Sequence, residues 1–314
     1  MRIKKISFCI LLLGISCCSF AQSNGLELLT IGPGTKALAL NETVTASLLG
    51  GSDIYANPAN LALEPSSNLN ADYSSWIAGL SIAHAAVNFK KGPRALAFGF
   101  LGAQTDNIAL RGNQAGPANG TFSISFLSLS GAYAHQVGPI TLGATLQYLW
   151  EEYYIYSASG YSASFGAATK LWNDRIHLGT SFLNLGQMNE LRSEASTLPT
   201  RFKAGINIEV ITFTAPQNNF PITMQLLNDW VIPTNQIQNT TQSTTRATPY
   251  TTMAVQLEVA ETITLQSGYN AGDTVRRWSA GAEFTIGSVR ANYSLSPFET
   301  GFGTAHSLGI NYQF

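Results

Sequence analysis

Almost no cysteine is present: Cys9, Cys17 and Cys18 all fall in the first 21 residues, so the remaining chain offers no disulfide and no thiolate metal ligand. Charge is scarce as well. Asp, Glu, Lys and Arg make up 11% of the chain, against about 25% in soluble domains. No basic stripe exists to hold a polyanion, which argues against nucleic acid as a partner. Beyond the first 21 residues there is also no apolar run of the length a membrane-spanning helix requires. What fills the gap is Gly, Ser, Thr, Asn, Gln and Ala, with aromatics at 11%. A chain with few charges, many aromatics and no spanning helix suits a barrel whose wall faces lipid.

Residues 1–21 read as an export signal. Arg2, Lys4 and Lys5 form a basic start, Ile6 to Phe20 is a short and mostly apolar run, and Ser19-Phe20-Ala21 places cleavage before Gln22. Loss of those three basic residues from 17 leaves 14 against 18 acidic ones, a net charge of −4.

The main signal is period-2 alternation in segments of about ten residues, the length of a tilted spanning strand. At the C-terminus Leu308, Ile310, Tyr312 and Phe314 share one face, and Ser307, Gly309, Asn311 and Gln313 share the other. Gly287-Ser288 reads as a two-residue hairpin turn that pairs Ile286 with Val289, Thr285 with Arg290 and Phe284 with Ala291. Fourteen such segments are predicted: 66–76, 79–90, 93–104, 121–136, 139–154, 159–171, 174–185, 199–212, 221–231, 249–260, 262–270, 277–286, 288–296 and 304–314. Short turns and long loops alternate between them, as in outer-membrane barrels; 77–78 and 213–220 break that rule. Tyr73, Trp76, Trp150, Tyr153, Tyr154, Trp172, Trp230 and Trp278 lie near segment ends, where interfacial girdles belong. The expected fold is all-β: a 14-stranded transmembrane outer-membrane β-barrel over 66–314, in contact with outer-membrane lipid. Its C-terminal Ile310, Tyr312 and Phe314 match the signal that barrel-assembly machinery reads.

Residues 22–65 lack this alternation. Asn57 is placed to cap a short helical turn with Pro58 at its first position, running Ala59 to Leu63. A pre-barrel segment of this size is expected to fold into the lumen as a plug. Lys36-Ala37, Asp53 and Tyr55-Ala56-Asn57-Pro58-Ala59-Asn60-Leu61 resemble the PorV/PorQ family of outer-membrane proteins, itself similar to the FadL fatty-acid transporters. Leu198-Pro199-Thr200-Arg201-Phe202 and the C-terminal strand share that likeness; Leu40-Asn41 departs from it where the family has a Gly pair. The resemblance implies a FadL-like barrel and an accessory or shuttle role in the type IX protein secretion of Bacteroidetes. The expected partners are then type IX components and secreted cargo proteins. The alternative it implies is passive transport of a hydrophobic small molecule across the outer membrane.

Catalysis is not expected. His306, Ser307 and Asn311 are similar in type to an outer-membrane phospholipase set, but alternation turns His306 to lipid and the other two to the lumen. His84, His135 and His177 lack a neighbour at ligand spacing, so neither a metal nor another cofactor is expected. Lys203, Glu209, Glu258, Glu283 and Arg290 fall on the inward face, and their mixed signs suit ties between plug and wall. The Thr-, Asn- and Gln-rich stretch 234–248 reads as a solvated outer loop.

Overall fold

Strict alternation leaves each strand with one apolar face and one polar face. A sheet can satisfy both, and every backbone group, by rolling up with the apolar face outward. The computed structural model of the protein does this. It describes residues 26–111, 117–191, 194–214, 220–234, 237–240, 243–246, 248–299 and 301–314. The predicted signal segment lies outside those residues, as does part of the 234–248 stretch.

The first half of the wall comprises β1 (Asn68–Ser75), β2 (Leu80–Lys91), β3 (Arg94–Leu110), β4 (Gly120–Val137), β5 (Ile140–Tyr153), β6 (Tyr156–Leu171) and β7 (Ile176–Leu191). A short strand, β8 (Glu194–Thr197), folds back on the end of β7. The wall resumes with β9 (Arg201–Thr214) and β10 (Pro221–Pro233), and a small separate ribbon pairs β11 (Ile237–Thr240) with β12 (Ser243–Arg246). It finishes with β13 (Tyr250–Val259), β14 (Ile263–Asn270), β15 (Trp278–Ile286), β16 (Val289–Pro297) and β17 (Thr304–Gln313). Fourteen of these strands pair antiparallel with their neighbours, and β1 closes on β17 from Asn68↔Gln313 to Ser75↔His306. The predicted hairpin register holds: Ile286↔Val289, Thr285↔Arg290 and Phe284↔Ala291.

The outer surface is what water would not tolerate. Leu146 and Leu308 are 70% and 63% exposed, and Phe98, Leu142, Ile286 and Ile310 are exposed with them. A contiguous apolar band of this extent needs lipid around it. The short turns, at Gly92, Gly138, Trp172–Asp174 and Gly287, mark the periplasmic end.

Three boundaries differ from the sequence expectation by more than two residues, for two reasons. In β7 a bulge places Leu183 and Asn184 together opposite Ser164, with Asn184 at φ 60. The alternation changes phase there, so Met188 turns inward and the strand runs on to Leu191 where a loop was expected. In β3 a like irregularity between Thr105 and Ile108, with Asn107 at φ 59, carries the strand past residue 104 to Leu110. The expected loop 155–158 is instead a tight turn at Tyr154-Ile155, with Tyr153 paired to Tyr156, because Tyr154 accepts φ 60.

The wall is uneven in height. β4 has 18 residues and β3 17, whereas β14 has 8 and β15 and β16 have 9 each.

Candidate functional site

Residues 26–67 run through the barrel's interior. They comprise α1 (Thr35–Ala39), α2 (Asp53–Ala56) and 3-10 turns at Glu27–Thr30, Gly50–Ser52 and Pro58–Ala62. Leu40, Ile54, Leu61, Asn41, Asn57 and Asn60 are fully buried there. Glycines on the inner wall make room for this packing. A Cβ on Gly166 would overlap the Asn57 carboxamide, and one on Gly179 would overlap the Thr45 carbonyl.

The lumen divides into three zones. In its outer half, on the β2–β7 side, an apolar group faces inward: Leu101 and Ala103 of β3, Phe126 of β4, Leu149 of β5, Ala158 of β6 and Met188 of β7 form one buried cluster with Ile82 and Leu198. Leu29 enters that cluster from the N-terminal segment, with Leu26, Leu28 and Ile31 against its edge. Trp76, expected in the lipid girdle, packs on this cluster instead, edge-on to Phe298 and under the Arg276 guanidinium. The voids left beside Leu29 and Ile31 amount to about 30 and 10 Å³, room for a water and little else.

The middle zone is a charged tie. Leu40 caps α1, and Asn41 and Glu42 follow in the left-handed region at φ 48 and 63, which brings the Glu42 N–H back to the Ala37 carbonyl at 2.8 Å. Both residues hold the positive φ that glycine most readily adopts. The Glu42 carboxylate then receives Arg276 Nη2 at 2.5 Å, with Arg201 Nη1 at 4.0 Å. Burial pushes its pKa up, but Arg276 and Arg201 overcome that and hold it below the ordinary carboxylate value. Lys203 donates to the Glu42 carbonyl at 2.7 Å and pairs with Asp229 at 3.1 Å. One Asp229 oxygen accepts the Val44 and Thr45 N–H groups, both at 3.0 Å, and the Thr45 hydroxyl at 2.6 Å.

At the floor, the Asn57 side chain accepts from the Ala59 N–H and donates to the Thr45 carbonyl at 2.8 Å, capping Pro58–Ala62. Asp53, fully buried, accepts from the Leu49 N–H at 2.9 Å and from Asn60 at 3.2 Å. Glu64 accepts from the Gly50 N–H at 2.7 Å. Burial raises the pKa of both acids, Asp53 well above its usual value, and the nearby Glu64 charge adds to the rise at Asp53. Leu61 and Ala59 are sealed from solvent; Asn88 donates to the Leu61 carbonyl at 3.0 Å, and Lys90 to that of Ala62. Tyr55 lies edge-on to His84, 5.5 Å between ring centres.

The inward charges named from the sequence divide among these zones. Lys203 is the tie described above. Glu283 and Arg290 border a polar cleft beside Lys36 of α1. Glu209 pairs with Arg175 at 3.7 Å, wall to turn, away from the N-terminal segment. Glu258 stands in register with Thr223 and Thr264. Ile310, Tyr312 and Phe314 face outward, and Phe314 packs edge-on against Phe89 at the periplasmic end. His306 also faces out, bonded to the Tyr293 hydroxyl at 2.8 Å, while Ser307 and Asn311 face in. The sequence reading missed Glu42, Asp229, Arg201, Arg276 and the pair Asp72–His84. The last was available: once β1 and β2 are aligned, Asp72 falls directly opposite His84.

No family model and no curated protein matches the chain. Among solved structures it is similar to the toluene transporter TbuX of Ralstonia pickettii at 13% identity and TM-score 0.57, over 90% of this chain and 98% of that one. The Pseudomonas putida toluene transporter TodX gives 12% and 0.57 over 92% and 98%. A Pseudomonas aeruginosa FadL homologue gives 13% and 0.55 over 90% and 98%. At such identities the likeness is one of fold. The chain is a closed fourteen-stranded outer-membrane β-barrel of FadL-like fold, with a short helical N-terminal segment inside it.

Proposed function

We propose that the protein is a passive conduit for small hydrophobic molecules across the outer membrane, working by binding and displacement without covalent chemistry. One observation carries this reading: on the β2–β7 side the outer half of the lumen carries a buried cluster of Leu, Ile, Phe, Met and Ala, and residues 26–31 pack into it. A water-filled porin has a polar interior, and an apolar lining there serves a solute that leaves water. Its fold neighbours include proteins named as toluene transporters. In this reading residues 22–65 act as a plug whose first turn leaves the chamber when a ligand enters, because the remaining voids hold no more than water. Asp53, Tyr55, Asn57, Pro58, Ala59 and Leu61 form the fixed floor against which that turn moves. The type IX accessory role rests on the sequence resemblance alone and gains no support from the lumen.

The test is uptake of radiolabelled toluene by cells with and without the gene. Deletion should lower the initial rate and the intact gene should restore it. Equal rates in both strains would remove the proposal.

A further inference from the structure

Under the floor, on the periplasmic side, Ala62 and Leu63 border an open hollow of about 260 Å³. Its walls carry Lys90 of β2, Gln136 of β4 and Lys170 of β6. Alternation turns both lysines inward: Lys90 follows buried Asn88 by two residues, and Lys170 follows buried Ala168 by two. Lys90 directs one of its three donors to the Ala62 carbonyl, and Gln136 one amide hydrogen to the Gly138 carbonyl. Among the described residues Lys170 has no hydrogen-bond partner, and neither lysine has a carboxylate in ion-pair contact. Lys203 and Arg175, by contrast, pair with Asp229 at 3.1 Å and Glu209 at 3.7 Å. Asp174, in the turn after β6, is the one acid that borders the hollow. Glu64, one residue past Leu63, is buried and bound to the Gly50 N–H. Two ammonium groups thus share the space with one carboxylate, and positive charge is in excess.

We propose that this hollow binds a phosphate group, held by Lys170, Lys90 and the second Gln136 amide hydrogen, and that the bound anion ties β2 and β6 to the floor from beneath. Lysine holds phosphate as a point charge. The space fits as well: one water takes about 30 Å³, so a tetrahedral oxyanion enters with several waters still around it. An anion there also offsets the repulsion between the two like charges. Two sources carry the group to this place, free phosphate in the periplasm and the phosphodiester of a phospholipid in the inner leaflet. Pro139 borders the hollow, while Val137 and Ile140 on either side of that tight turn are exposed on the lipid-facing wall. A head group therefore has only the turn at Gly138 to cross. The site stands independently of the conduit reading.

The experiment titrates the full mature barrel in dodecyl maltoside with sodium phosphate, by calorimetry, against sodium chloride of equal ionic strength. Saturable heat with phosphate and none with chloride is expected. Lys170→Ala removes a side chain that has no partner to lose and should weaken binding about tenfold or more. Lys91→Ala, at the exposed lysine beside Lys90, should leave it unchanged. If Lys170→Ala does not fold, Lys170→Gln, which drops the charge and keeps most of the length, is read in its place. A second arm adds phosphatidylglycerol and counts the lipids retained, by native mass spectrometry. Lipid retained by the wild type and lost in the Lys170 variant, without phosphate heat, assigns the site to head groups; phosphate heat without retained lipid assigns it to the free ion. Either result, or both together, upholds the site. Binding of neither probe overturns it, as does binding that the Lys170 variant leaves intact or that Lys91→Ala weakens equally. Amide exchange of residues 58–64 should slow with whichever probe binds, and exchange unchanged by a bound probe overturns the tie. Toluene uptake enters neither arm, so failure here leaves the conduit reading untouched.

Discussion

Arg201, at the outer end of β9, donates from Nη2 to the carbonyl of Leu29 at 3.1 Å, so a wall residue grips the backbone of the turn that fills the apolar chamber. Its Nη1 reaches the next carbonyl, Thr30, at 3.2 Å. The grip is on main chain, so it is indifferent to which side chains occupy the chamber and sensitive to whether the turn is there.

Arg201→Ala should therefore release residues 26–31. The buried Leu29 carbonyl and the part-buried Thr30 carbonyl lose a donor, which destabilises the docked turn by about 1–3 kcal/mol. The expected outcome is faster toluene uptake and faster proteolysis near residue 30, with the barrel's own heat resistance retained. An unchanged cleavage rate would mean the turn is held by its leucines alone.

Glu42→Gln should be the more damaging change. It leaves Arg201 and Arg276, both buried, without their shared carboxylate, and losing one partner of a buried pair costs about 3–5 kcal/mol. Double substitution with Arg276→Met should recover part of the loss. Denaturant titrations of the three proteins in detergent decide it, and equal midpoints for the wild type and Glu42→Gln would refute the tie.

Acid should tighten the inner segment before it loosens it. Asp53 and Glu64 have raised pKa values when folded, so the fold binds their protons more strongly than the unfolded chain does; their contribution grows as pH falls towards the ordinary carboxylate range and is lost as pH rises through the raised values. Glu42 has the opposite sign: its contribution is present above the ordinary carboxylate value and is lost only when pH drops below it. Hydrogen-exchange protection of residues 49–64 is expected to be higher near about pH 5 than near about pH 8. Protection that climbs steadily with pH would contradict the raised values at Asp53 and Glu64.

Gly166→Val should act as a wedge. The new side chain would collide with Asn57, the cap of Pro58–Ala62, and overpacking of this kind costs about 1–3 kcal/mol. Leakage of arabinose through an otherwise folded barrel is the readout. Substitution at Gly131, where no atom approaches, is the matched control and should change nothing.

Removing Phe314 should slow membrane assembly. Its ring covers Phe89 across the β1–β17 closure, and it follows Ile310 and Tyr312 on the outward face. The fraction of heat-modifiable protein in outer-membrane extracts measures the effect, and a wild-type fraction would mean the last residue is dispensable.

The wall was legible in the sequence because one rule governs it: side chains alternate, and the apolar set must face lipid. That rule placed all fourteen barrel strands and the 287–288 register. It failed where a bulge at Asn184 or an irregularity at Asn107 shifts the phase, since the residues beyond then present the opposite pattern to a reader still counting by twos. The lumen was less legible. Asn57 and Pro58 announce their own cap, but the partners of Glu42 lie about 160 and 230 residues away on β9 and beside β15, and only the closed cylinder brings them together. The apolar lining was hidden for a related reason: Phe126 and Leu149 occupy the face that carries Ser, Thr or Gln elsewhere on the same strands, and each taken singly reads as an exception.

The unequal strands have a directional consequence. At roughly 3.3 Å per residue, the 18 residues of β4 rise well past the 8 of β14, even after tilt, so the rim is a slope and not a level ring. The low side carries Tyr250, Asn270 and Arg276, which border an open hollow of about 260 Å³ above Glu42. A mouth cut this way looks sideways across the head groups, with the tall strands standing behind it like a backboard. For the conduit proposed above, molecules already dissolved in the leaflet would meet such an entrance sooner than those arriving from the medium overhead.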